Sequence, residues 1–420
     1  MGSEVELRLE AVRLVGEGVR VTEVGHRLGR SRRWVHKWLR RFEAEGETGL
    51  VDRSRAPKTT LRSVDAMTAA EVLRIRGALE ANPVASIGAE SVQATMERGG
   101  WKPIPSVASI QRILSRAGRT RPYERRTRSD VKLPLPIVTR PGVWQQADWI
   151  QDRWLQGGIR FQSLQAVDVG SGAVASEQYL NRTVINASEF ALEKAWPVLS
   201  IPWAMGTDNA FVKTTHPNNP FTLWVRVCLF FGVEVLVAPP GGLGWTNQVE
   251  AANNLWQART IRARRFANLD ELRAGSQQAC HWLNHYRPLH NPAIHGTRYP
   301  IEVIARHADT LRWPPTITLT DHRDHTGKIH LPLAAGRITY IRHASQHRTI
   351  HIANVTWPLP DLIPQGALII ATITTDTRTL ALRHQGEIIA THPYPITHPI
   401  VDPYHPPAKH GLLDEMGTKS

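Results

Sequence analysis

Apolar residues recur every three to four positions through the first 120 residues, then alternate or cluster in short runs after residue 143, so the period itself divides the chain. Residues 4 to 17 (EVELRLEAVRLVGE) place Val5, Leu9, Val12 and Val15 on one helical face. TEVGHRLG predicts a second helix, with Thr22 as N-cap and Gly29 as its stop. A third opens at Ser31 and runs RRWVHKWLRRFEAEG, with Trp34, Val35, Trp38, Leu39 and Phe42 as its apolar stripe and Gly46 at its end. The turn between the last two is only a few residues long, which predicts a helix-turn-helix domain over residues 1–50. Residues 51–64, from GLVDRSRAPKTT onward, lack periodicity and read as a linker. Amphipathic segments at 67 to 81, 86 to 98 and 106 to 117, the last capped by Ser106, predict a second helical, HTH-like domain over 65–118, followed by a basic linker over 119–140.

Beyond residue 140 the elements change. VWQQADWI, IRFQSLQAVDV, AVASEQYL, WAMGTDN and VEVLVAPP read as strands, with helical stretches at 186 to 199, 219 to 231, 248 to 265 and 268 to 286. Three strands followed by alternating helices and strands predict a mixed sheet covered by helices over 141–306. TITLTD, KIHLPL, RITYIR, RTIHIA, ALIIATITT, TLALRHQG and EIIATH are short strands between turn residues, predicting a small β-barrel over 314–395. Residues 396–420 read as a flexible tail. The fold class expected is therefore multidomain α+β.

Composition narrows the chemistry. With 41% hydrophobic and 21% charged residues the chain is that of a globular protein. Its two cysteines, Cys228 and Cys280, exclude a disulfide framework and a Cys-based zinc site, and point to a reducing compartment. The acidic start is unlike a signal peptide, and Arg226 and Glu234 interrupt the best membrane candidate, so a cytoplasmic, nucleoid-associated protein with no membrane partner is expected. The net charge is +14. Residues 1 to 130 hold 25 Lys and Arg against 16 Asp and Glu, so the polyanion expected as partner of this part is nucleic acid. Arg32, Arg33, His36, Lys37, Arg40 and Arg41 form the polar face of the third helix, the set a recognition helix needs for guanine edges and phosphates. Arg112 and Arg116 offer a weaker second face, and Arg119, Arg121, Arg125, Arg126 and Arg128 suit an arm along a phosphate backbone.

The remaining signal is carboxylates. Asp148 lies in VWQQADWI among apolar neighbours, Asp208 follows a strand in MGTDNAF, and Glu250 opens a helix in GWTNQVEAANNLW. Three acids converging at one sheet edge repel one another unless cations neutralise them, and oxygen ligands without cysteine favour Mg²⁺ or Mn²⁺, two ions of which suit an in-line phosphoryl displacement. Asp152 and Asp168 are rival carboxylates, with Asp168 read as a turn or surface residue. The histidines of DHRDHTGKIH read as surface residues, and Trp245 as core or as a stacking platform for a flipped base.

VWQQADW, TDNAF, PPGGLGWTNQVE and HWLNHYRPLHNPAIHGTRYPIEVI, in that order and spacing, resemble the catalytic core of DDE transposases and retroviral-type integrases, a ribonuclease-H-like fold. With its N-terminal helix-turn-helix, GLVDRSRAP and C-terminal β-module, the chain resembles single-frame bacterial insertion-sequence transposases from residue 1 to about 395. The resemblance implies that Asp148, Asp208 and Glu250 form the metal-binding, catalytic triad, and that the protein assembles as a homo-oligomer on double-stranded DNA, the terminal inverted repeats of an element and its target. It implies nicking by activated water followed by attack of the freed 3′-hydroxyl on target DNA. Asn209 is expected to steady Asp208, Asn247 to cap the helix of Glu250, and Arg259, Arg262, Arg264 and Arg265 to grip substrate phosphates. The sequence departs from the family pattern at Ala210, where a glycine is usual, and in THPNNP (215–220), which reads as an extra loop. Two other functions fit the same residues: a non-enzymatic DNA-binding regulator derived from a transposase, and a ribonuclease-H-like nuclease that cuts without joining.

Overall fold

The computed structural model describes residues 4–53, 64–120, 136, 138–214, 221–241, 245–315, 319–327 and 329–413. Most of the 51–64 linker, Arg121, Arg125, Arg126 and Arg128 of the basic arm, and the 215–220 loop lie outside them. The chain forms two compact units, residues 1–63 and 64–420.

The first unit is three helices, α1 (Glu4–Gly16), α2 (Val21–Arg27) and α3 (Arg32–Glu45), closed by a 3-10 turn at Gly46–Leu50. Ala11, Leu14, Val24 and Val35 form its core. Ser31 caps α3 as expected, its hydroxyl accepting from the Trp34 N–H at 3.1 Å. The cap of α2 is Arg20, and Thr22 lies inside the helix. Gly25 permits the tight turn: a Cβ there would stand 2.8 Å from the Arg30 carbonyl oxygen.

The second unit begins with α4 (Ala66–Ala81), α5 (Ala89–Arg98) and α6 (Val107–Arg116), packed through Val72, Ile75, Val92, Met96, Ile110 and Leu114. Next come β1 (Trp144–Trp154), β2 (Arg160–Asp168), β3 (Val174–Tyr179) and α7 (Val184–Glu189), which runs through a π-helical stretch (Phe190–Ala195) into α8 (Trp196–Leu199). After these follow β4 (Ala204–Thr207), α9 (Asn209–Val212), α10 (Leu223–Phe230), β5 (Glu234–Val237), α11 (Asn247–Arg259), α12 (Leu269–His285), α13 (Pro292–His295) and α14 (Pro300–Arg306). The C-terminal strands are β6 (Leu333–Ala334), β7 (Arg337–His343), β8 (Thr349–Ile352), β9 (Val355–Pro358), β10 (Leu368–Thr374), β11 (Thr379–His384), β12 (Glu387–Pro393) and β13 (Ile400–Val401).

β1, β2 and β3 are antiparallel, and β4 and β5 add in parallel beside β1, so the strand order β3-β2-β1-β4-β5 with covering helices is the ribonuclease-H-like arrangement. Among the described residues the expected small β-barrel is not formed. β7, β10, β11 and β12 instead continue the same sheet to nine strands. The reason is the edge of β5: Val235, Leu236 and Val237 are fully buried, and their backbone needs a partner on the far side. β7 supplies it in parallel register, Val235 opposite Ile338 and Val237 opposite Tyr340. One apolar cluster then runs from Trp149 and Leu164 to Ile369 and Leu382. TITLTD is likewise not a strand where it is described, since Leu319–His322 is a 3-10 turn.

Nor are residues 396–413 a flexible tail. β13 pairs in parallel with β6, the Leu412 N–H donates to Glu234 at 3.0 Å, and Leu413 is buried. The apolar Ile396, Ile400 and Leu413 draw the segment down. The helices α4–α6 also dock on the core rather than standing apart. Trp282 packs on their apolar cluster, Arg298 donates to Gln93 at 2.9 Å, and the Arg98 guanidinium lies 4.6 Å from the centre of the Tyr286 ring. These anchors all come from the HWLNHYRPLHNPAIHGTRYP stretch.

Candidate active site and nucleic-acid interface

Asp148 sits in the middle of β1, opposite Gln165, on a strand buried along most of its length. Asp208 is the residue after β4, and Glu250 lies in the first turn of α11. Parallel pairing of β1 with β4 carries the first two to the same side of the sheet. Gln146 fixes the third: its buried amide donates to the Trp245 carbonyl at 2.9 Å and accepts from the Val249 N–H at 3.1 Å, pinning the start of α11 to β1. Removing that side chain leaves two buried backbone groups unpaired, about 1–3 kcal/mol each.

The three carboxylates act on one another. Burial first, and then the negative charges of Asp208 and Glu250, push the Asp148 carboxyl up to about 6. The Asn253 amide opposes this, donating to Asp148 Oδ2 at 3.0 Å from one turn beyond Glu250. Asp208 accepts the Ala210 N–H at 2.9 Å and faces Arg182 at 3.5 Å. Glu250 is held by the Thr246 hydroxyl at 2.7 Å.

A hard divalent cation fits this donor set in chemistry. Asp148, Asp208 and Glu250 supply oxygen only, and Asn253 Oδ1, buried beside Asp148, has no hydrogen-bond partner. Among the described residues no group of three His, Cys, Asp or Glu stands close enough together to hold an ion as placed, with Glu250 turned to Thr246.

Several expectations change here. Asn209 does not brace Asp208; its side-chain oxygen accepts from Arg342 at 2.6 Å. Ala210 is tolerated because neither it nor Asn209 has a positive φ, so the turn does not require glycine. Thr246, not Asn247, is the N-cap of α11. Trp245 is fully buried against Trp144, 5.4 Å between ring centres, which is the core position of the two roles expected. Asp168 is a turn residue as read, but a buried one: it accepts from the Gly142 N–H at 2.9 Å and from the N–H and hydroxyl of Ser171 at 2.7 Å. Asp152 lies farther along β1, beside Gln162 and Arg160. Asn253, Arg182 and Thr246 were missed in the sequence. Spacing marked Asn253, which follows Glu250 by three on one helical face.

The basic residues separate into two groups. Arg32, Arg33, Lys37 and Arg40 are exposed on α3 and His36 is half-buried beside them, whereas Arg41 folds back, donating to the Val51 carbonyl at 2.9 Å and lying 4.7 Å from the Trp38 ring. Arg112 and Arg116 are exposed on α6, and Arg119 pairs with Glu80 at 2.9 Å. α11 ends at Arg259, which is half-buried. Arg262 and Arg265 are exposed beyond it, and Arg264 lies on the Phe266 ring at 4.8 Å.

Residues 3–51 match the family model of a homeodomain-like domain. The first unit is homeodomain-like. A second homeodomain-like model matches residues 34–114. These two homeodomain-like matches imply DNA binding. No curated protein sequence matches the chain. Among solved structures it is similar to the simian T-cell lymphotropic virus intasome in complex with PP2A regulatory subunit B56 gamma, at 15% identity and TM-score 0.34, over 70% of this chain and 92% of that one. It is also similar to the magnesium-bound catalytic core of HTLV-2 integrase in its dimeric form, at 15% identity and TM-score 0.29, over 40% and 97%. The BIV integrase catalytic core gives 17% identity and TM-score 0.29, over 40% and 97%. Among the described residues no helix is long and apolar enough to cross a membrane.

Proposed function

We propose that the protein is a DNA transposase that binds the ends of a mobile element through its homeodomain-like unit and cleaves and joins DNA strands at Asp148, Asp208 and Glu250. The observation that carries this reading is Asp148: a half-buried carboxyl with two further acids within electrostatic reach, opposed by the Trp149 N–H and the Asn253 amide. A structural carboxylate meets donors alone, whereas this one also faces like charge, which a cation relieves. Bound divalent ions would supply Lewis-acid stabilisation of the attacking and leaving oxygens in a phosphoryl displacement.

The chain's own residues do the rest. Gln146 and the β1–β4 pairing hold the three acids on one edge, and Asn253 orients Asp148. Arg182, beside Asp208, offers a guanidinium to a phosphate oxygen. The exposed Arg32, Arg33, Lys37 and Arg40 fix the DNA end by phosphate and base contacts. In cleavage, a water oxygen forms the new bond to phosphorus as the 3′-oxygen departs. In joining, the freed 3′-hydroxyl forms that bond and a target 3′-oxygen departs. Two ends must be held together, so a homo-oligomer on DNA is part of the proposal.

The test uses purified protein, DNA flanking its gene, a supercoiled target and Mg²⁺ or Mn²⁺, with Glu250→Gln alongside. Joined products that disappear in the variant are the expected result. Specific binding without cleavage under either metal would overturn the reading.

A further inference from the structure

Next to Asp208 the second unit holds a cavity of about 520 Å³ between α9, the end of β7 and the β8–β9 hairpin. Its most unusual lining residue is Arg342. This side chain is 8% exposed, yet among the described residues its hydrogen-bond partners are all neutral: the carbonyls of His351 (3.2 Å), Ala238 (3.2 Å) and Ile341 (2.8 Å), and Asn209 Oδ1 (2.6 Å). Burial lowers its pKa. A buried guanidinium without a carboxylate is expensive to maintain. Around it stand Lys213, His343 and His351, all exposed, and no described residue lining the cavity is an Asp or Glu.

The wall is shaped at a further cost. Ala353 and Asn354 make the two-residue turn between β8 and β9 with φ of 47° and 67°, and an alanine in that region is strained. Asn354 donates to the Thr214 carbonyl at 2.8 Å, fastening the hairpin across to the chain that follows α9. A deep cation, an exposed lysine at the mouth and a fastened wall together await an anion. Asn209 joins it to the proposed catalytic edge, because the residue that receives Arg342 immediately follows Asp208.

We infer that this cavity is a phosphate subsite for a DNA strand, with Arg342 as its floor and Lys213, His343 and His351 at its mouth. The inference rests on the proposed function for the identity of the strand, but the binding itself does not require catalysis.

Its test is read locally. Full-length protein in EDTA is treated with diethyl pyrocarbonate, and acylation of His343 and His351 is mapped by mass spectrometry against a titration of a short single-stranded oligodeoxynucleotide. Inorganic phosphate and the methylphosphonate analogue of the oligonucleotide serve as comparison probes. The expected result is protection of both histidines by the oligonucleotide, lost with the uncharged analogue. The midpoint should rise on the order of tenfold to a hundredfold in Arg342→Gln. Lys213→Gln should lower the salt dependence of the protection by about one ion. Thr356→Glu, which places a negative charge on the exposed rim, should abolish protection and guards against a misfolded Arg342 variant. Protection unchanged in Lys213→Gln and Thr356→Glu would overturn the inference, as would protection by inorganic phosphate but not by the strand. Protection that persists in a protein with no Mg²⁺-dependent cleavage sinks the proposed function alone, whereas cleavage without protection sinks only the subsite.

Discussion

Asp148 and Asp168 occupy the same β1–β2 hairpin, both are raised to about 6, and burial is the first cause in each. Their surroundings differ in kind. Asp168 receives two backbone N–H groups and a hydroxyl, and through Gly142 and Ser171 it ties the approach to β1 onto the β2–β3 turn. Asp148 receives the Trp149 N–H and one side-chain amide, and it also feels two other carboxylates. A shifted carboxyl is therefore not in itself a mark of chemistry. What separates the two is that only the neighbours of Asp148 also repeat the charge.

The largest difference should appear in activity. Asp148→Asn keeps the shape of the site but removes one charge of the cluster, and Mg²⁺-dependent strand cleavage should fall on the order of 10²–10³-fold or more, with the melting temperature unchanged or higher. Asp168→Ala should do the reverse. Its loss strands the Gly142 and Ser171 N–H groups and should lower stability by about 3 kcal/mol in chemical denaturation, while cleavage per folded molecule is retained. Loss of cleavage in folded Asp168→Ala, or its survival in Asp148→Asn, erases the distinction.

Proton linkage sharpens the contrast. Both folded carboxyls titrate near 6 against an ordinary 3.8, so between those values the unfolded chain gives up its protons first. Their contribution to stability is then greatest below about pH 4 and is lost as pH rises through about 6, by roughly 3 kcal/mol for each group. Mg²⁺ should cancel the share belonging to Asp148, because a cation favours its charged form, and leave the share of Asp168. Denaturation midpoints across this range, in EDTA and in Mg²⁺, separate the two; equal metal sensitivity in Asp148→Asn would count against a cation at that residue. Next in size is Asn253→Ala, which removes the one amide on Asp148 and should lower cleavage about tenfold to a hundredfold while moving its pH profile upward.

Much of this arrangement is legible in the sequence, because it rests on local signals. The Ser31 cap, the α3 stripe and the order of the five core strands follow from capping chemistry and period. So does the position of Asp148 on a buried strand and of Glu250 in the first turn of a helix. What escapes is set by partners distant in the chain. RITYIR is a correct strand, but nothing in it says that its neighbour is the edge of β5, 100 residues earlier, rather than another C-terminal strand. Residues 396–413 look like a tail until β6 and Glu234 are in place to receive them. Asp168 shows its turn position in sequence, but its burial depends on Gly142 and Ser171 folding over it.

The smallest test acts on Asp168 without removing it. In Ser171→Ala the hydroxyl that donates at 2.7 Å is lost, but the Ser171 and Gly142 N–H groups remain. The Asp168 carboxyl should move further up and the decline in stability should extend above pH 6, with a loss of about 1 kcal/mol at neutral pH. Strand cleavage in saturating Mg²⁺ should not change, because nothing at Asp148 has moved. A fall in cleavage of the folded variant would mean that the turn and the carboxylate edge are coupled through β2. The two acids would then have to be described as one network rather than as a pin and a site.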